Sequence, residues 1–130
     1  MARILIVEDK FENLELMVYI LKAFGHQPSV ARDGEEGLTA AAEQHPDLIV
    51  MDLQMPRLDG YEAARRLRAD AQLRRIPLVA VSAYAMVGDR EKVMAAGFDG
   101  YVTKPIDPES FVQEVERYLR VSPASSPPAL

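Results

Sequence analysis

The sequence contains no cysteine, which excludes a disulfide framework, a thiolate metal site and a cysteine nucleophile. No apolar run approaches the roughly 18 residues of a membrane-spanning helix, and the N-terminus lacks the extended apolar core of a signal peptide. The formal net charge of −5 argues against nucleic acid as the main ligand. We therefore expect a cytoplasmic protein that neither enters a membrane nor binds nucleic acid directly.

The length of 130 residues suits one domain with a sufficient apolar core. Residues 122–130 are rich in proline and serine, a composition typical of a flexible segment. The prediction is a single domain over residues 1–121, followed by a flexible C-terminal tail over 122–130.

Short apolar runs alternate along the chain with segments of helical periodicity. Strands are predicted at 3–8, 28–31, 47–52 and 99–103, with a fourth strand that ends at 82. Helices are predicted at 11–24, 34–44, 60–70 and 108–120, with a fourth helix that ends at about 96. This (βα)5 order predicts an α/β fold with a doubly wound, parallel, five-stranded sheet between two helical layers. The expected strand order is the flavodoxin-like 2-1-3-4-5.

Polar residues follow the apolar runs where the strands should end. Glu8 and Asp9 follow the first strand, and Asp52 ends the third. The carboxyl ends of parallel strands share one edge of the sheet, so these three carboxylates should converge and repel one another unless a cation neutralises them. A few oxygen ligands with room for water favour Mg²⁺, for which Mn²⁺ can substitute.

Two further polar residues should reach the same edge of the sheet. Ser82 ends the fourth strand, and Lys104 follows the fifth. Ser82 could simply cap a helix, but its hydroxyl could also donate to a phosphoryl oxygen. A lysine beside carboxylates can pair with one of them and later with a phosphoryl oxygen. The Lys104-Pro105 peptide bond is a candidate for the cis form.

Four stretches resemble, in order and spacing, those of response-regulator receiver domains. They are Ile4 to Asp9, Asp52 to Gly60, Val79 to Ala83, and Gly100 to Pro105. The resemblance extends over residues 2–120 and includes the chemotaxis receivers. Lys10 to Leu16 and Gln54-Met55-Pro56 are most similar to stand-alone cell-division regulators and to receivers of hybrid kinases.

The resemblance implies a role for each residue that matches the acidic motifs. Asp52 would accept the phosphoryl group. Asp9, Asp52 and the backbone carbonyl of Gln54 would bind Mg²⁺ directly, and Glu8 would act mainly through a metal-bound water.

The resemblance also implies roles for residues of the last two strands. Lys104 would bind the phosphoryl group, Ser82 would close on it, and Tyr101 would rotate inward as the readout. Gln54 and Tyr84 are bulky, lack a carboxylate, and would stand near the path of the hydrolytic water, which predicts a long-lived phosphorylated form.

The implied function is that of a single-domain response regulator in a phosphorelay. Its partners would be a histidine kinase or histidine phosphotransfer protein and a downstream protein target. An aspartate-nucleophile phosphohydrolase is the main alternative, but it usually needs a second aspartate where this chain has Gln54. We therefore expect only self-catalysed phosphotransfer and autodephosphorylation, without turnover of external substrates.

The first predicted helix carries more apolar residues than burial requires. The residues of its inward stripe are Leu14, Met17, Val18, Leu21 and Phe24. At 100° per residue, Leu16 lies about 130° and Tyr19 about 170° from the centre of this stripe, with Ile20 at its margin. Together with Pro105 and Ile106, these three residues form a candidate docking surface for the phosphoryl donor. Self-association through the same patch, which would give a weak homodimer instead of a monomer, remains open, as does the ordinary scatter of apolar residues over a surface.

The remaining candidate functional residues are a cluster of arginines and two histidines. The arginines are Arg65, Arg66, Arg68, Arg74 and Arg75. Without interleaved aromatic residues, they predict a solvated helix face rather than a nucleic-acid site. His26 and His45 lack metal-ligand spacing and are predicted to be isolated loop residues.

Overall fold

The computed structural model describes residues 2–55, 59–83 and 89–121, in which strands and helices alternate. The elements are β1 (Arg3–Val7), α1 (Phe11–Ala23), β2 (Gln27–Ala31), α2 (Gly34–Gln44), β3 (Leu48–Asp52), α3 (Gly60–Ala69), β4 (Leu78–Ser82), α4 (Asp89–Ala95), β5 (Gly100–Thr103) and α5 (Pro108–Val121). The predicted tail over 122–130 and the predicted shielding residue Tyr84 lie outside the described residues.

The strands form one parallel sheet in the order β2-β1-β3-β4-β5, which confirms the predicted topology. Ile4 of β1 lies between Pro28 of β2 and Leu48 of β3. Every residue of β3 and β4 is buried, because helices cover both faces of the sheet. The carboxyl ends of β1 and β3 are therefore neighbours at the centre of the sheet.

The core has two layers, one on each face of the sheet, and β1 contributes alternate side chains to both. Ile4 and Ile6 belong to the layer that contains buried residues of α1 and α5. Leu5 and Val7 belong to the layer that contains buried residues of α2 and α3. Within the described segments, no helix is both long and apolar enough to cross a membrane.

Aspartates cap three of the helices by accepting a hydrogen bond from a backbone N–H three residues on. Asp33 caps α2, Asp59 caps α3 and Asp107 caps α5. In contrast, Lys10 precedes α1 without a side-chain cap. The start of α1 therefore lacks the side-chain cap that the other three helices have.

The prediction for α1 is wrong at two positions. Ile20, placed at the margin of the inward stripe and counted as a docking residue, is 3% exposed and shares its buried cluster with Phe111 and Val115 of α5. The helix packs against α5 as well as the sheet, so its buried arc is wider than a sheet-facing stripe. Phe24 is 53% exposed because α1 ends at Ala23 and Phe24 leaves the helical path.

The prediction of a solvated arginine face is wrong for Arg68. Its Nε donates to the Gly97 carbonyl at 2.7 Å, and its Nη1 donates to the carbonyls of Arg74 at 2.6 Å and Ile76 at 2.8 Å. Its Nη2 donates to Asp99 Oδ2 at 2.8 Å. Arg68 therefore joins the end of α3 to the loops before β4 and β5, and we call these groups the Arg68 network.

His26 is likewise part of the packing rather than an isolated loop residue. Its Nδ1 accepts a hydrogen bond from the backbone N–H of Ala2 at 3.3 Å, and its Nε2 lies 2.9 Å from Glu116 Oε2. These contacts connect the start of β1, the turn after α1, and α5.

Candidate functional site

Three carboxylates meet where β1 and β3 end, as the strand pattern predicts. Glu8 and Asp9 follow β1, Asp52 is the last residue of β3, and one oxygen from each lies within 4.8 Å of the others. Glu8 is fully buried, Asp52 is 1% exposed and Asp9 is half-buried. We call these three residues the acidic cluster.

Lys104 brings one positive charge to the acidic cluster from the end of β5. Its Nζ donates to Asp52 Oδ2 at 3.1 Å and lies 3.4 Å from Glu8 Oε1. Its backbone N–H donates to the Ser82 carbonyl at 2.8 Å, which fixes the end of β5 against the end of β4. The Lys104-Pro105 peptide bond is cis, as predicted. One ammonium faces three carboxylates, so the cluster retains an excess of negative charge.

Backbone donors orient two of the carboxylates. The N–H of Gln54 donates to Asp52 Oδ1 at 3.0 Å, and the N–H of Lys10 donates to Glu8 Oε2 at 3.1 Å. Both bonds join an acid at a strand end to the backbone two residues later. Sequence analysis missed these two donors, although a polar side chain at a strand end is a signal for such a turn.

Gly60 allows the start of α3 to approach the end of β3 closely. A Cβ at this position would lie 2.7 Å from the Asp52 carbonyl oxygen and 2.8 Å from Leu53 Cα. A larger residue would force this backbone apart, so Gly60 permits the close contact between the start of α3 and the backbone of Asp52 and Leu53.

Two carboxylate oxygens of the acidic cluster are buried without a hydrogen-bond partner among the described residues: Glu8 Oε1 and Asp9 Oδ1. Burial raises the pKa of Glu8 to about 7, and the hydrogen bond and negative charge of Asp52 add to this effect. The Lys10 N–H and the Lys104 charge act in the opposite direction. Crowded carboxylate oxygens that accept no hydrogen bond are the donor set that a hard divalent cation such as Mg²⁺ prefers.

The other predicted site residues lie around this edge. Ser82 is 2% exposed at the end of β4, and Tyr101 of β5 is half-buried. Tyr101 also lines a groove of about 200 Å³ with Thr103, Pro105 and Asp107. The groove lies along the end of β5, the strand that leads to Lys104.

The predicted docking residues divide according to their exposure. Leu16 is 37% and Tyr19 is 73% exposed on α1, and Pro105 is exposed while Ile106 is half-buried. Ile20 is buried, so the structure excludes it from any docking surface.

The sequence matches the family model of the response regulator receiver domain over residues 4–116. Because this match covers most of the chain, the protein belongs to the response regulator receiver family of two-component signalling.

Related sequences and solved structures support this family assignment. The polar-differentiation response regulator DivK of Brucella ovis is 40% identical over 116 residues, which cover 89% of this chain and 94% of the relative. The receiver domain of a sensor histidine kinase from Pseudomonas aeruginosa PAO1 is 35% identical, with a TM-score of 0.84 over 91% of this chain and 97% of its own. That structure holds a magnesium ion in its active-site cleft.

Structural similarity extends to chemotaxis receivers. The chemotaxis protein CheY4 of Vibrio cholerae is 26% identical, with a TM-score of 0.85 over 90% of this chain and 98% of its own. The flavodoxin-like receiver fold predicted from the strand pattern is thereby confirmed.

Proposed function

We propose that Asp52 accepts a phosphoryl group from a histidine kinase or a histidine phosphotransfer protein, and that the phosphorylated chain signals to a downstream protein in the cytoplasm. One observation carries this proposal. The buried Asp52 carboxylate has the Lys104 ammonium 3.1 Å from one oxygen and the Gln54 backbone nitrogen 3.0 Å from the other, beside two carboxylate oxygens that accept no hydrogen bond from any described residue.

The acidic cluster supports a Mg²⁺ cofactor. Asp9, Asp52 and the backbone carbonyl of Gln54 would bind the cation directly, Glu8 would hold it through a water molecule, and Mn²⁺ would substitute. The magnesium ion in the related Pseudomonas receiver is consistent with this assignment. When bound, the cation supplies positive charge that offsets the negative charge of the phosphoryl oxygens.

The residues of the chain supply the nucleophile and its positioning. A carboxylate oxygen of Asp52 forms a bond to phosphorus as the bond between the phosphorus and the donor's histidine nitrogen breaks, and the electron pair of that bond returns to the histidine. Lys104, already paired with Asp52, would turn to a phosphoryl oxygen. The Ser82 hydroxyl would donate to another phosphoryl oxygen, and Tyr101 would rotate inward to report the change.

The same residues support a signalling domain rather than a hydrolase acting on external substrates. A phosphohydrolase of this type usually carries a general acid two residues after its nucleophile, and Gln54 cannot serve as one. We assign self-catalysed phosphotransfer and slow autodephosphorylation to Asp52 and its neighbours.

Phosphodonor treatment tests this assignment. The chain is incubated with a small phosphodonor in Mg²⁺ or in a chelator, and its intact mass is measured. We expect one added phosphoryl unit in Mg²⁺ and none in chelator. Equal labelling in both would contradict a metal-dependent site.

We further propose that the phosphoryl donor docks on Leu16, Tyr19, Pro105 and Ile106, close to the acidic cluster. Leu16 is 37% exposed, so its truncation should not disturb the core. Leu16→Ala should lower the rate of phosphorylation by the cognate kinase severalfold, while the rate with a small phosphodonor is unchanged. An equal effect on both rates, or on neither, would exclude this use of Leu16.

A further inference from the structure

An apolar groove of about 300 Å³ lies between α1 and the edge strand β2, and no residue of the acidic cluster lines it. It is lined by Leu14, Glu15, Val18, Tyr19, Lys22 and Val30. Tyr19 is 73% exposed and Val30 is 43% exposed, so large apolar side chains face solvent on both of its walls. We call this feature the α1–β2 groove.

The charges of the α1–β2 groove are arranged symmetrically along the helix. Glu15 and Lys22 are seven residues apart, so they lie two turns apart on the same side of α1. The midpoint between them falls between Val18 and Tyr19, at the apolar centre of the groove. Within the described ranges, neither Glu15 nor Lys22 has an ion-pair partner.

We propose that the α1–β2 groove is a two-fold interface with a second copy of this chain. A two-fold axis between Val18 and Tyr19 would pair α1 with an antiparallel α1. Glu15 of each copy would then face Lys22 of the other, and Tyr19 of each would pack on the other's Val18. A two-fold interface requires a surface that is complementary to itself, and opposite charges at equal distances from an apolar centre meet this requirement.

The groove is distinct from the proposed donor-docking surface over most of its area. At 100° per residue, Leu16 projects roughly 160° away from Val18, and Pro105 and Ile106 do not line the groove. Tyr19 alone belongs to both surfaces. α1 has 13 residues and is about 20 Å long, so one helix pair buries less than a standard interface and the dimer should be weak.

Charge reversal tests the proposed pairing. Sedimentation velocity of the full chain is measured over a concentration series for wild type, Glu15→Lys, Lys22→Glu and an equimolar mixture of the two variants. Wild type should associate reversibly. Each single variant would place like charges against each other at both ends of the interface, so its dissociation constant should rise roughly tenfold, about 1.4 kcal/mol.

The mixture of the two variants distinguishes a two-fold charge pairing from a general loss of association. A heterodimer of Glu15→Lys with Lys22→Glu restores opposite charges at both ends, so the mixture should associate about as strongly as wild type. Glu43→Lys, the same charge change at an exposed position of α2, should leave association unchanged.

Three results would overturn the proposal. The first is a wild type that stays monomeric throughout, including the case in which the variants slow only kinase-dependent phosphorylation. The second is association that persists in both single variants. The third is association that the single variants lose and the mixture does not restore.

Discussion

Charged side chains cluster at both ends of the sheet, but only one of the two clusters has its hydrogen bonds complete. At the amino end, every guanidinium nitrogen of Arg68 donates to a carbonyl or to Asp99, and Asp99 Oδ2 also accepts from the Leu78 N–H at 2.9 Å. At the carboxyl end, three carboxylates lie together, one ammonium contacts two of them, and two of their oxygens are buried without a hydrogen-bond partner in the described structure.

The difference separates a structural cluster from a functional one. Buried polar groups in folded proteins are almost always hydrogen-bonded, so an exception needs a physical reason. The Arg68 network needs no ligand to complete it and should serve stability. In the function proposed above, a cation and a phosphoryl group supply the partners that the acidic cluster lacks, so the cluster should cost stability in the isolated chain.

The largest expected effect is the loss of function when the acidic cluster is reduced. Asp9→Ala removes one of the proposed direct ligands, so Mg²⁺ binding and phosphorylation should be lost together. Calorimetric titration with Mg²⁺ and intact mass after phosphodonor treatment measure the two effects. Glu43→Ala, at an exposed position of α2, should change neither. Unchanged Mg²⁺ affinity in Asp9→Ala would show that the acidic cluster is not the metal site.

The next effect is a loss of stability at the opposite end of the sheet. Arg68→Ala removes four hydrogen bonds from a charged donor and leaves three carbonyls and Asp99 without it, so the free energy of unfolding should fall by about 2–3 kcal/mol. Denaturant unfolding measures this change.

Arg65 provides the matched control on the same helix. It is exposed, and its ion pair with Glu62 at 3.0 Å lies on the surface, so Arg65→Ala should change the free energy of unfolding by less than about 1 kcal/mol. Similar small losses in both variants would remove the contrast between the two ends of the sheet.

The smallest effect is a gain in stability. At a pH above the raised pKa of Glu8, which is about 7, Glu8→Gln keeps the shape of the side chain, removes a buried negative charge beside Asp52 and adds an amide N–H that can donate to that carboxylate. The metal-free chain should therefore become more stable by about 1 kcal/mol, which thermal unfolding can measure. Glu43→Gln is the matched exposed control. A clear loss of stability in Glu8→Gln would mean that the acidic cluster is satisfied without a cation.

At the carboxyl edge of the sheet, most of the site could be predicted from the sequence. Apolar runs that end in acids define both the strands and their ends, and parallel topology then brings Glu8, Asp9 and Asp52 together. The same rule predicts the position of Lys104, since β5 ends at the same edge of the sheet.

The Arg68 network at the amino edge could not be predicted from the sequence, because the main hydrogen-bond acceptors of Arg68 are backbone carbonyls in loops. No pattern of side chains encodes that Arg68 will meet the carbonyls of Ile76 and Gly97. Ile20 was misplaced for a related reason. Its burial depends on α5, which is about 90 residues away in sequence, and the periodicity of one helix cannot report a remote neighbour.

The central claim is that Asp52 is the phosphorylated residue, and Asp52→Asn tests it most directly. Asparagine keeps the shape of the side chain but lacks the carboxylate that attacks phosphorus. Wild type and variant are treated with the same small phosphodonor in Mg²⁺, and their intact masses are compared. The account predicts one added phosphoryl unit in the wild type and none in Asp52→Asn. Equal labelling of the two proteins would contradict it.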